Sequence, residues 1–222
     1  MTADTRDRNV TAMAAVGFAL SWAVGLTVFS SSTSVRSTGA AVIDTFAVHQ
    51  DPAIVQYVFT EGIPAITLAV VVFGLARFAN MTDRLRLILT TCGLGAAAVS
   101  SVECALGIHL VGWVVPRADD DAAGMLFDAI NRLDGVKMIL LAAAAGVTVM
   151  LARDGALPRW MLLPAIALVV TILISGVGYL FLLSGPAVFA WASLPLLIMW
   201  VLSTGFVLRK SHVSPAMADY TA

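Results

Sequence analysis

Charge is what this sequence has least of. Asp, Glu, Lys and Arg make up 12% of 222 residues, while 59% are hydrophobic and the mean hydropathy is +0.92. A soluble domain carries about twice that charged fraction. So many long apolar runs do not fit inside one water-soluble core of this length. A net charge of −1 lacks the basic footprint of a nucleic-acid binder, so nucleic acid is not expected as a partner. Cysteine is nearly missing too. Cys92 and Cys104 stand too far apart along one apolar run to bridge each other, which excludes a disulfide framework. Histidine is scarce, and His49 and His109 are remote from each other, so neither a haem nor another metal site is expected. A P-loop, a dinucleotide fingerprint, His-Glu-x-x-His, Cys-x-x-Cys and G-x-S-x-G are all absent. No cofactor is expected.

What is there is apolar sequence in lengths that cross a bilayer, which takes roughly 20 residues. Six spans are predicted, at about 10–29, 52–76, 87–115, 129–151, 160–183 and 186–208. The fold class expected is therefore all-α, a polytopic bundle of six membrane helices. One domain covers residues 1–210, with no internal repeat, and residues 211–222 are expected to form a disordered tail. The first span is read as a retained helix, because it is long and no Ala-x-Ala site follows it. Asp51-Pro52 reads as a helix start, and Ser184-Gly185-Pro186 as a tight turn between the last two spans.

Basic residues sort by side. Arg6, Arg8, Arg77, Arg84, Arg86, Arg153, Arg159, Arg209 and Lys210 fall at one set of span ends, and only Arg36 and Arg117 at the other. The positive-inside rule then predicts that both termini are cytoplasmic. Arg outnumbers Lys 11 to 2, a composition that suggests a high-GC bacterium, so the location expected is a bacterial plasma membrane. The long outer loop contains "AAVIDTFAVHQ", with Val42, Phe46 and His49 at helical spacing. A short amphipathic helix on the outer interface and an ordinary loop are equally consistent with it.

The polar residues inside the spans carry the functional signal. Glu61 lies in "QYVFTEGIPA", with Tyr57 one turn earlier and Pro64 just after. Pro64 has no N–H, which leaves the Thr60 carbonyl without its helical donor. Glu103 lies in "SSVECALGIHL", on one stripe with Ser100 and Gly107, and His109 falls about 120° around from it. Asn131, Asp134 and Lys137 follow at three-residue spacing at the start of the fourth span. Asp134 can pair with Lys137, and Asp128 with Arg132. Counted from the outer ends, the acids sit roughly 8–18 Å deep. One ionisable group at mid-membrane costs at least ~2.5 kcal/mol, so these groups are expected to face one another or a wet cavity. Three acids meet one deeply placed cation, and burial then favours at least one acid in its neutral, proton-donating form. Polar contacts can also simply glue helices together, and that reading fits Ser100, Ser101 and Ser175 better than it fits Glu61 and Glu103.

The pattern resembles a set of actinobacterial six-helix membrane proteins. The likeness lies in the long first outer loop, which ends in a D-x-F-x-x-H stretch, here "DTFAVHQDP". It brings no established activity. In design alone the acids also resemble those of small integral-membrane terpene cyclases, which place acidic side chains on facing helices to protonate an isoprenoid. Two functions are expected from the residues. The first is a membrane enzyme of the isomerase or lyase kind, doing acid-initiated chemistry on a hydrophobic, isoprenoid-like small molecule that enters from the lipid bilayer. Glu61, Glu103 and Asp134 would be catalytic there, supported by Tyr57, Ser100, His109, Asn131 and Lys137. The second is a proton-coupled carrier using the same acids as a relay. A small membrane subunit or regulator with an architectural polar cluster remains as the third.

Overall fold

The computed structural model describes residues 3–29 and 33–210, helical or in short connections, with no strand among them. The tail predicted to be disordered lies outside the described residues. Six helices are long and apolar enough to cross a membrane: α1 (Asp4–Val28), α3 (Gln50–Phe78), α4 (Asp83–Arg117), α5 (Asp120–Arg153), α6 (Arg159–Leu180) and α7 (Ser184–Lys210). A short helix, α2 (Gly39–Ala47), precedes α3.

Several boundaries differ from the sequence reading. The largest shift is in α5, which begins at Asp120 and not near Ala129. Asp119 caps it, its side chain accepting from the Ala122 N–H at 3.0 Å, and Asp120 and Asp121 supply the acidic first turn that a helix N-terminus favours. Asp134 and Lys137 therefore sit near the middle of a long helix. Asp128 and Arg132 make no ion pair, while Asp134 and Lys137 do. α3 starts at Gln50, so His49 holds the cap position and Asp51 falls in the first turn. The turn between α6 and α7 sits slightly earlier than Ser184. Leu182 takes a left-handed φ of 54°, the Leu183 N–H donates to the Gly178 carbonyl at 2.6 Å and the Leu182 N–H to the Tyr179 carbonyl at 3.3 Å. That is a Schellman ending with leucine in the place glycine usually takes.

Two helices widen by one residue just before a proline. A π turn spans Val58–Gly62 ahead of Pro64, with the Ile63 N–H reaching the Val58 carbonyl. A second spans Leu110–Val114 ahead of Pro116. A proline cannot donate to the carbonyl four residues back, and an inserted residue lets the ladder pass this gap.

The basic residues gather at one end. Arg8 donates to the Leu208 carbonyl at 2.9 Å, Arg77 pairs with Asp7 at 2.7 Å, and Arg86 donates to the Ala76 carbonyl at 3.0 Å. The opposite end is acidic. There α2 forms as one of the two sequence alternatives proposed, but its apolar face turns inward. Val42 and Phe46 are buried against Leu110, Val111, Val114 and Phe127. His49 is exposed and sits beside the Phe29 ring.

Between these ends the helices pack through small residues. A Cβ on Gly135 would lie 2.5 Å from the Leu180 nitrogen and 2.8 Å from the Gly176 carbonyl, so α5 and α6 touch backbone to backbone there. Toward the basic end, Leu68, Val72, Leu89, Leu141, Leu151 and Leu168 form a continuous buried core. Trp200 donates to Thr148 Oγ1 across it at 2.9 Å.

Candidate functional site

Three helices bring their ionisable residues to one point. From the basic end, Glu61, Glu103 and Asp134 stand roughly 25–30 Å up α3, α4 and α5 at 1.5 Å per residue. The Lys137 Nζ lies 2.7 Å from Glu61 Oε2, 2.6 Å from Glu103 Oε2 and 2.7 Å from Asp134 Oδ1. An ammonium has three N–H groups, and each carboxylate offers one an acceptor. Lys137 is 7% exposed and Glu103 only 1%. Ser100 Oγ lies 2.5 Å from Glu61 Oε2 and 3.1 Å from the Glu61 carbonyl. Its single hydrogen serves both the side chain and the backbone of the π turn. The carbonyl that receives a side-chain donor is thus Glu61's, one residue on from the Thr60 carbonyl singled out by the sequence.

The cluster is not balanced. Three carboxylates surround one ammonium, and Glu103 Oε1 is buried without any hydrogen-bond partner. The carboxylate oxygens lie within 4.8 Å of one another, a spacing that suits a cation. The cation at that point is the chain's own lysine. Removing either sign alone would leave buried charge unopposed.

Glu61, Asp134 and Lys137 form the polar wall of a cavity of about 330 Å³. Trp22 and Leu26 of α1, Tyr179 of α6, and Trp191 and Leu194 of α7 face them. Leu26 and Trp191 are 41% and 75% exposed, so the cavity reaches the bundle surface between α1 and α7. Toward the acidic end it shares Thr33, Tyr179 and Trp191 with a vestibule of about 390 Å³. Toward the basic end a void of about 20 Å³ continues, beneath Glu61, Ser100 and Lys137, and Phe18, Leu68 and Leu197 line it.

The residues singled out by sequence divide into three groups. Glu61, Ser100, Glu103, Asp134 and Lys137 meet in the cluster. Tyr57 and Asn131 line the vestibule. The Tyr57 ring fills the space beside Gly107, where a Cβ would lie 2.3 Å from it. Asn131 donates to the Phe127 carbonyl at 2.9 Å, within its own helix. His109 does not join, because six residues beyond Glu103 lies another face of α4. It is exposed and stacks on Trp113 at 6.4 Å. Glu103 belongs to the cluster but not to the cavity wall. Tyr179, Trp22, Gln56 and Trp191 line the cavity and were missed. A signal for Tyr179 existed in "SGVGY": the small residues that draw α6 onto α5 at Gly135 bring the next tyrosine beside Asp134.

No protein-family model, curated protein or solved structure matches this chain. The function is therefore read from the site itself.

Proposed function

We propose that this chain is an integral-membrane enzyme that protonates a lipid-soluble, isoprenoid-like molecule, with its basic end in the cytoplasm of a bacterial plasma membrane. One observation carries the reading. The cavity has ionisable groups on one wall and aromatic and aliphatic side chains on the other. It opens sideways and toward the acidic end, and toward the basic end it narrows to a void of about 20 Å³. A substrate dissolved in the bilayer can enter it between α1 and α7, and the aromatic and aliphatic wall shields the reacting carbons from water, which quenches a carbocation, on that side.

Glu61 is the general acid. Its Oε2 accepts from Lys137 and Ser100, which leaves Oε1 to carry the transferable proton. Protonation of a substrate double bond breaks that O–H bond, forms a C–H bond and leaves a carbocation beside the carboxylate. Asp134, on the same wall, takes a proton from the rearranged cation as the product double bond forms. Lys137 is bonded to both acids and returns the proton from one to the other, so no proton is consumed. Glu103 lies behind Lys137 and positions it. Comparative mass spectrometry of lipid extracts from cells making wild type or Glu61→Gln tests this. A lipid product present with wild type and absent with the variant is expected, and identical extracts would overturn the enzyme reading.

The void below the cluster favours a second reading, a proton-coupled carrier, because it continues from Glu61 toward the basic end. Proton flux in proteoliposomes that follows a solute gradient and is lost in Glu61→Gln would favour the carrier.

A further inference from the structure

We propose that the cavity between α1 and α7 selects hydrophobic organic cations, such as a quaternary ammonium on an aromatic or alkyl body. The proposal goes beyond the reaction above. It concerns the charge the cavity prefers, whether a cation forms there or arrives from the bilayer.

Three features point the same way. The polar wall sets two acids, Glu61 and Asp134, against Lys137 alone, and Glu103 behind the wall engages the same ammonium. Among the described residues no other Lys or Arg lines the cavity. Lys137 is already engaged by all three carboxylates, so its ammonium does not repel a newcomer as a free one would. The remaining walls present Trp22, Tyr179 and Trp191, whose ring faces attract cations, and tryptophan does so best. Leu26, Ile172 and Leu194 accept the apolar body. A neutral lipid gains from the rings and the leucines only. An anion is repelled by the acids. A soft cation, weakly hydrated and therefore cheap to move out of water, gains from all of them. The volume of about 330 Å³ suits a small aromatic ammonium ion.

The test uses the purified full chain in lipid nanodiscs and two probes of one shape. Benzyltrimethylammonium carries the charge, and neopentylbenzene is its uncharged carbon isostere. Binding is read from tryptophan fluorescence. The ammonium should bind at least ~10-fold more tightly than the isostere. Asp134→Asn should erase most of that preference while leaving the isostere's binding in place. Equal affinity of the two probes for wild type would overturn the proposal without reference to any variant, as would an undiminished preference in a folded Asp134→Asn protein. The outcome is separable from the enzyme reading. A cation preference with unchanged cellular lipids upholds the cavity's selectivity and removes the reaction. A lipid product without any cation preference does the reverse.

Discussion

The two halves of this bundle are built on opposite rules. In the half toward the basic end, helices meet through glycine, alanine and leucine. Gly93 lies against Val72, Gly74 against Thr11 and Gly205 against Ala15, and the charges stay at the rim, as in the Arg77–Asp7 pair. In the half toward the acidic end, two helices are widened by π turns, cavities of about 330 and 390 Å³ open, and four ionisable groups meet under cover. A bundle that needed only stability would repeat the first half. The first half also has a groove, of about 470 Å³ between α1 and α7, but its lining is apolar except for Asn9 and Arg209. The second half puts unbalanced buried charge on a cavity wall, which is the usual mark of a site shaped for something other than packing.

The two halves differ most at Lys137. Lys137→Met leaves three carboxyls without their cation, and removing one partner from a buried ion cluster costs about 3–5 kcal/mol. Thermal unfolding should show that loss together with the disappearance of the lipid product. Full stability and full activity would mean that Lys137 merely occupies space. In the packed half, Gly93→Leu forces a side chain into Val72, 2.6 Å from where its Cβ would start. Such overpacking costs about 1–3 kcal/mol. Stability should fall while the cation preference of the folded fraction stays the same. A changed preference would show that the two halves are not separate. Trp200→Phe removes the bond to Thr148 and should cost about 1 kcal/mol, again in stability alone. His109→Ala is expected to change neither stability, beyond about 0.5 kcal/mol, nor ligand binding, because His109 is exposed. A clear loss of binding would place His109 back at the site.

Much of this contrast was legible in the sequence because a membrane makes polar residues expensive. Glu61, Glu103 and Asp134 stand out in apolar runs, and helical rise alone puts them at a similar height. Six spans follow from run length, and the collected basic end follows from Arg and Lys in alternate loops. Other features were hidden for physical reasons. The early start of α5 was missed because Asp119, Asp120 and Asp121 followed by Gly124 read as a loop, yet Asp119 caps the helix and alanine propagates it. The inward face of α2 depends on Leu110 and Phe127 from distant segments, which periodicity cannot report. Pro64 announced a break in α3, but a proline signals only the missing donor and not whether the helix kinks or widens. Trp22, Trp191 and Tyr179 gave no signal of a site because an aromatic looks the same in sequence whether it fills a core or lines a cavity.

Glu61→Gln separates an acid cluster that serves chemistry from one that serves architecture. The amide keeps an oxygen that accepts from Lys137 and Ser100, and it removes one carboxyl from a site that holds three around one ammonium. If the cluster is functional, the thermal midpoint of the purified variant should stay within about 2 °C of wild type, since a neutral amide of the same shape replaces the protonated acid. If the cluster is glue, the midpoint should fall by several degrees, as it should for Lys137→Met, and the account would be contradicted.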